Sequence, residues 1–126
     1  MNPGKISNSI LNRSVLKLIK SKNKRVQKPA IGIDCGVIDL EDNDKRILCS
    51  EACGIFPVYR VANNIYACGG IPLAAHTSVI MPRNFNEYNL KEEIRSLNQQ
   101  CSELDMQISG GHTQINDMIK APVVTV

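Results

Sequence analysis

Apolar positions recur at helical spacing in three stretches of this chain, with short extended runs between them. Ile10, Leu11, Val15, Leu18 and Ile19, with Arg13, Lys17 and Lys20 on other faces, predict an amphipathic helix over 7–20 that Ser7 or Asn8 can cap. A basic, polar loop follows over 21–29. The β-branched run 31–40 reads as a strand, Glu41-Asp42-Asn43-Asp44-Lys45 as a turn, and 46–50 as a second strand, together an antiparallel hairpin. Pro57 can open a helix, where its missing N–H costs nothing, and Gly69-Gly70 can stop it after residue 68. A strand over 72–81, a loop over 82–86 and a long helix over 87–104 come next, with Leu90, Ile94, Leu97 and Cys101 on one face of that helix. The chain finishes with a short strand over 106–109, ending in Gly110-Gly111, and a last strand over 121–126.

The order α-β-β-α-β-α-β-β predicts an α/β (α+β) sandwich, with helices on one face of a mixed sheet. At 126 residues one domain is expected. The run Val123-Val124-Thr125-Val126 carries no polar tail, so the expectation is a domain excised from a longer protein.

Composition narrows the class. Residues are 43% hydrophobic and 21% charged, as in an average globular protein, and with five aromatics and no Trp the core must be aliphatic. No apolar run approaches the roughly 20 residues of a membrane span, and no secretory signal is visible, so a soluble cytoplasmic protein is expected, with no membrane partner. The five cysteines, Cys35, Cys49, Cys53, Cys68 and Cys101, are odd in number and form no CxxC pair; they read as small buried thiols in a reducing compartment. The net charge of +3 is unevenly spread: Lys5, Arg13, Lys17, Lys20, Lys22, Lys24, Arg25 and Lys28 all precede the first acid, Asp34. That stretch has no stacking aromatics, so a solvated face is favoured over a nucleic-acid surface.

Four segments stand apart from the core pattern. Gly32-Ile33-Asp34-Cys35-Gly36 puts a carboxylate in a glycine-flanked bend. Cys49-Ser50-Glu51 puts an acid at a strand end. Asn63-Asn64 puts two amides on a helix that otherwise reads as buried. Gly110-Gly111-His112-Thr113-Gln114 follows a glycine pair with polar groups. Such residues can assemble a phosphate and Mg²⁺ site, because Mg²⁺ takes hard oxygen ligands and glycine pairs let backbone N–H groups approach phosphates. Asp34 and Glu51 could supply carboxylates and Asn64 a carbonyl oxygen. His76 reads as structural or edge-exposed.

In this order the segments resemble the N-terminal domain of the aminoimidazole-ribonucleotide (AIR) synthase and HypE, or PurM-like, superfamily. Gly32 to Ile38 resembles its early Gly-Asp segment, and Cys49-Ser50-Glu51 its Thr-Thr-Asp strand end. Asn63-Asn64-Ile65-Tyr66-Ala67-Cys68-Gly69-Gly70-Ile71-Pro72 resembles its Asn-Asp-Ile helix, and Gly110 to Gln114 its Gly-Gly-His-Thr-Glu turn. The opening, Gly4-Lys5-Ile6 and Leu11 to Leu16, is similar to the HypE-like subgroup.

The resemblance implies a domain whose mixed four-to-five-stranded sheet pairs with a second copy into a β-barrel across a homodimer. It also implies a further, C-terminal domain beyond residues 1–126. ATP would bind near that interface, touched by Gly32, Asp34, Asn63, Asn64, Gly110, Gly111 and Thr113, with Mg²⁺ on Asp34, Glu51 and Asn64 and with His112 as the catalytic group. The implied chemistry is ATP-dependent phosphorylation of an amide-type oxygen, as in a ligase, cyclo-ligase or dehydratase-like enzyme. Three departures matter: Asn64 and Gln114 replace carboxylates of the pattern, and Glu51 replaces a shorter one. Removing two negative charges weakens Mg²⁺ binding without disturbing the fold. The alternative is therefore a degenerate, non-catalytic dimeric module for nucleotide binding or scaffolding.

Overall fold

The computed structural model of the chain describes residues 6–20, 22–40, 44–52 and 54–126. The chain divides into two compact units, 1–49 and 50–126.

The first unit opens with α1 (Asn8–Ser14), whose N-terminus is capped by Ser7, the Ile10 N–H donating to the Ser7 hydroxyl. The predicted helix over 7–20 is broken at Val15 (φ −126°, ψ −66°) and continues only as a 3-10 turn, Leu16–Leu18. No residue of either piece is buried, and a helix this short without a packed face has nothing to sustain it. Strands β1 (Gly36–Asp39) and β2 (Lys45–Leu48) form the expected antiparallel hairpin, Gly36 opposite Leu48 and Asp39 opposite Lys45. The Leu40 N–H to Asp44 carbonyl bond closes it; the predicted turn residues 41–43 lie outside the described residues, as do Gly4, Lys5 and Cys53. Residues 25–27 add to the other side of β1, through a bridge between Val26 and Ile38. The strand predicted from residue 31 begins only at Gly36, because Gly32 adopts φ 83° and a turn closes from Ile33 N–H to the Ala30 carbonyl.

The second unit is a layer of two helices on one three-stranded sheet. Strand β3 (Ala74–Pro82) is central, helix α3 (Glu87–Glu103) follows it, and β4 (Gln107–Asn116) returns parallel to β3; β5 (Val123–Thr125) pairs antiparallel on the other side. A bridge between Ala52 and Thr125 and reciprocal bonds between Glu51 and Val126 (2.9 and 3.0 Å) extend the sheet by one short segment. The expected mixed α/β architecture is present. Its strands, however, divide into sheets of two and three among the described residues, where one sheet of four to five was expected. Strand β1 pairs with β2 on one side and with residues 25–27 on the other, and among the described residues no ladder joins β1 or β2 to β3, β4 or β5.

Helix α2 (Pro57–Ala67) begins with Pro57 in its first turn and ends in a Schellman motif, with Gly70 N–H bonded to the Ile65 carbonyl and Gly69 N–H to Tyr66. Phe56, at its N-cap, sits at φ 56° and offers no side-chain cap. The missing acceptor comes from the neighbouring helix: Val58 N–H donates to Gln100 Oε1 at 3.2 Å. Gln100 is buried, and its amide N–H groups reach the Ser96 carbonyl and hydroxyl, so its burial leaves no polar group unpaired. Helix α3 starts in a reciprocal capping box between Asn86 and Asn89.

The core lies between these helices and one face of the sheet. Val58, Val61 and Ala62 of α2 and Leu97 and Cys101 of α3 are buried, as are Ala75, Thr77, Val79 and Met81 at alternate positions of β3. Burying Leu97 completely contributes about 1.5–3 kcal/mol. The intervening β3 residues and most of β4 are exposed or half-exposed, so the other face of the sheet is open in this chain. No helix among the described residues is long and apolar enough to cross a membrane.

The predicted end of a strand at Gly110-Gly111 is corrected: β4 runs through both glycines to Asn116. The register shifts beside Ala75, where Ser109 is the extra residue and its hydroxyl donates to the Ala75 carbonyl. Two residues on, Gly111 lies so close to β3 that a Cβ there would stand 1.9 Å from the Thr77 carbonyl oxygen. The glycine pair marks close strand approach, and not a turn.

Candidate functional site

The chemistry-bearing segments fall into three groups. In the first unit, Gly32 and Asp34 occupy the bend before β1; both are exposed, and the Asp34 carbonyl accepts from the Cys49 thiol at 3.5 Å. The thiols themselves are mixed in exposure: Cys35 and Cys101 are buried, Cys49 is half-buried and Cys68 is exposed.

The second group is in the second unit, where the strand segment before α2 meets the exposed side of that helix. Glu51 is fixed in its backbone by the paired bonds to Val126, and its side chain is only 18% exposed. Asn64 Nδ2 donates to Glu51 Oε1 at 3.5 Å, and Arg60 Nη2 lies 3.4 Å from Glu51 Oε2. Arg60 and Asn64 are one helical turn apart and share a face of α2. Gly54 makes room for the guanidinium, since a Cβ there would stand 2.6 Å from Arg60 Nη1. The sequence reading brought Glu51 and Asn64 to one site and the structure joins them; it missed Arg60, which the i, i+4 spacing to Asn64 could have signalled. Asn63 is exposed on the adjoining face.

The third group lies on β4. Strand alternation sends Gly110, His112 and Gln114 to the open face and Gly111 and Thr113 toward the helices. His112 Nε2 and Gln114 Oε1 are hydrogen-bonded at 3.1 Å, and His76 of β3 packs beside Gly110. His76 is exposed as expected, but on the central strand of its sheet and not at an edge. On the helix side, a shallow cavity at the ends of β3 and β4 is lined by Met81, Phe85, Leu90, Thr113, Gln114 and Ile115. The crevice beyond the carboxyl ends of parallel strands is where α/β sheets usually take ligands.

The donor set in the second unit does not fit a Mg²⁺ ion as it stands. Glu51 contributes one negative charge, Arg60 cancels it, and Asn64 presents its N–H to the carboxylate. Mg²⁺ takes near-octahedral oxygen donors, usually one or two carboxylates with waters and phosphate oxygens. Among the described residues no group of three His, Cys, Asp or Glu side chains comes together as a metal site. The same cluster suits an anion better, because a guanidinium presents five N–H donors in a fork matched to phosphate.

Comparison with known proteins gives a consistent picture. The family model described as AIR synthase related protein, N-terminal domain, matches residues 32–126 and so spans all four segments. A Methanocaldococcus jannaschii protein named for hydrogenase expression/formation is 28% identical over 72 residues, which is 57% of this chain and 22% of that protein. Among solved structures, AaThiL complexed with AMPPCP and TMP superposes with a TM-score of 0.71 at 14% identity, covering 98% of this chain and 43% of that one. HypE of E. coli, a hydrogenase maturation protein, gives a TM-score of 0.55 at 14% identity over 60% of this chain and 28% of that one. At such identities the structural likeness establishes a fold. The chain spans about a fifth of the length of the curated relative and less than half of these structures.

Proposed function

Because this chain belongs to the AIR synthase related protein N-terminal domain family, we propose that it is a nucleotide-binding domain that holds ATP for phosphoryl transfer to an amide-type oxygen. The observation that carries this reading is the family match over 32–126, which includes the Glu51–Arg60–Asn64 cluster and the β4 segment. The superposition of 98% of this chain on part of AaThiL, a structure complexed with AMPPCP, supports the nucleotide. In this reading Gly32 and Asp34, Asn63 and Asn64, and Gly110, Gly111 and Thr113 line the nucleotide, with His112 on the acceptor side. The acceptor and the rest of the cleft come from a second, C-terminal domain, and the protein works in the cytoplasm. The open face of the β4-β3-β5 sheet supports pairing with a second copy, since half-exposed Ile80 on that face and an edge of β4 left unpaired among the described residues call for a cover.

Magnesium enters this reading only with its ligands rearranged: Glu51 would leave Arg60, and Asp34 and Asn64 would turn oxygens to the ion. A second reading, a non-catalytic dimeric module, draws on the same neutralised Glu51 and on Asn64 and Gln114. Calorimetric titration with AMPPCP, with and without Mg²⁺, tests the nucleotide. Saturable binding supports the proposal; no binding by folded protein under either condition refutes it. Turnover of ATP would then separate the enzyme from the silent module.

A further inference from the structure

We propose that Arg60 supplies the positive charge that holds the nucleotide's phosphates at this site, so that the nucleotide binds without a divalent cation. The inference rests on the nucleotide-binding reading above and names how that site meets its ligand.

Four observations carry it. Both Glu51 oxygens are engaged by donors from one face of α2, Oε1 by Asn64 and Oε2 by Arg60. The acid is held in place by its backbone pairing with Val126 and is mostly buried, so it acts as a fixed anchor for the guanidinium. Arg60 is itself 46% exposed, so part of its fork stays open to a ligand while one edge is held by the carboxylate. Finally, position 54 is glycine, and any Cβ there would collide with the guanidinium where it now rests.

The charges agree. A site for a divalent cation gathers negative charge, whereas Glu51, Arg60 and Asn64 sum to zero before any ligand arrives. Asn64 stands where the resembled motif has a carboxylate, and Arg60, one turn earlier on the same face, brings a cation to the site. Both features suit binding a phosphate directly better than binding a metal. Glu51 is then a positioning residue for Arg60, and its expected effect on binding is opposite to that of a metal ligand.

The test is titration of the protein with ATP in EDTA and again in excess Mg²⁺, for the wild type, Arg60→Gln, Arg60→Lys and Glu51→Gln. Thermal unfolding of each variant checks that the fold is intact. The proposal expects wild-type binding in EDTA, weakened about tenfold or more by Arg60→Gln and partly recovered by Arg60→Lys. It expects Glu51→Gln to keep or tighten binding in EDTA, because the Gln carbonyl oxygen can still accept from the guanidinium while the negative charge that competes with the phosphates is gone. Binding that appears only with Mg²⁺ and disappears in Glu51→Gln overturns this inference and leaves the nucleotide-binding reading standing. Absence of ATP binding under both conditions overturns the two together.

Discussion

Asn64 donates its side-chain amide to the Glu51 carboxylate at 3.5 Å, across the gap between α2 and the segment that extends the sheet. An amide in this position binds the acid as a donor, whereas a carboxylate there would repel it and require a cation between them. Asn64→Asp therefore creates a second carboxylate beside Glu51. We expect this variant, with Gln114→Glu added on β4, to bind Mg²⁺ about tenfold or more tightly than the wild type, because charge count tunes affinity for hard cations. Calorimetry with MgCl₂ reads the change; equal heats from folded wild type and variant would show that charge at 64 and 114 does not limit metal binding.

Gly111 is a packing requirement. Its absent Cβ would stand 1.9 Å from the Thr77 carbonyl oxygen, and neither backbone can yield without opening the β3–β4 ladder. Gly111→Ala is expected to destabilise the second unit by about 1–3 kcal/mol. Urea unfolding measures it, and a shift in midpoint below a few tenths of that range would mean the strands separate easily here.

Gln100 caps a helix to which it does not belong. Gln100→Leu keeps the volume but leaves the Val58 N–H buried without an acceptor, since Val58 is fully buried. A loss of about 1–3 kcal/mol is expected, together with faster amide exchange at Val58. Unchanged exchange at Val58 would mean that another acceptor serves it.

These two positions show where the sequence stops speaking. The ends of α2 were legible because Pro57 and Gly69-Gly70 act locally, and the start of α3 because the whole helical period follows it. The hairpin was legible from its β-branched runs. The glycine pair at 110–111 was misread because its cause, the Thr77 backbone, lies more than thirty residues away. Helix α1 was drawn too long because its periodicity promised a buried face that the described unit does not provide. In the site, Glu51 and Asn64 could be paired from their motifs, whereas Arg60 left only its i, i+4 spacing to Asn64 as a signal, and an arginine on a helix looks like a solvated surface residue until its partner is known.

The pair of Tyr59 and Glu103 joins the C-terminal end of α3 to the first turn of α2 and makes a pH prediction. The Tyr59 hydroxyl donates to Glu103. That bond first, and one from Gln99 second, hold the Glu103 carboxyl below its ordinary value against a small opposing effect of burial. The Tyr59 hydroxyl is pushed up, by the same bond first, then by burial and by the glutamate charge. Glu103's contribution is complete above the ordinary glutamate value of about 4.3 and is lost as pH falls through its lowered folded value. Tyr59's contribution is complete below about 10 and is lost as pH rises through its raised folded value. Stability from this exposed pair is thus flat through neutrality and small. Tyr59→Phe should reduce the dependence at both ends of a pH series of unfolding midpoints; a variant that parallels the wild type throughout would show that the pair is not formed in solution.

The segment around Glu51, Arg60 and Asn64 is proposed as the nucleotide site. The most direct measurement is amide chemical-shift mapping of the isotopically labelled protein during titration with AMPPCP. Saturable shifts are expected at residues 32–34, 51–54, 60–64 of α2 and 110–114 of β4, with Val124 and the buried core of α3 little changed. Shifts that saturate elsewhere, or none at all from a protein whose spectrum shows it folded, would contradict it.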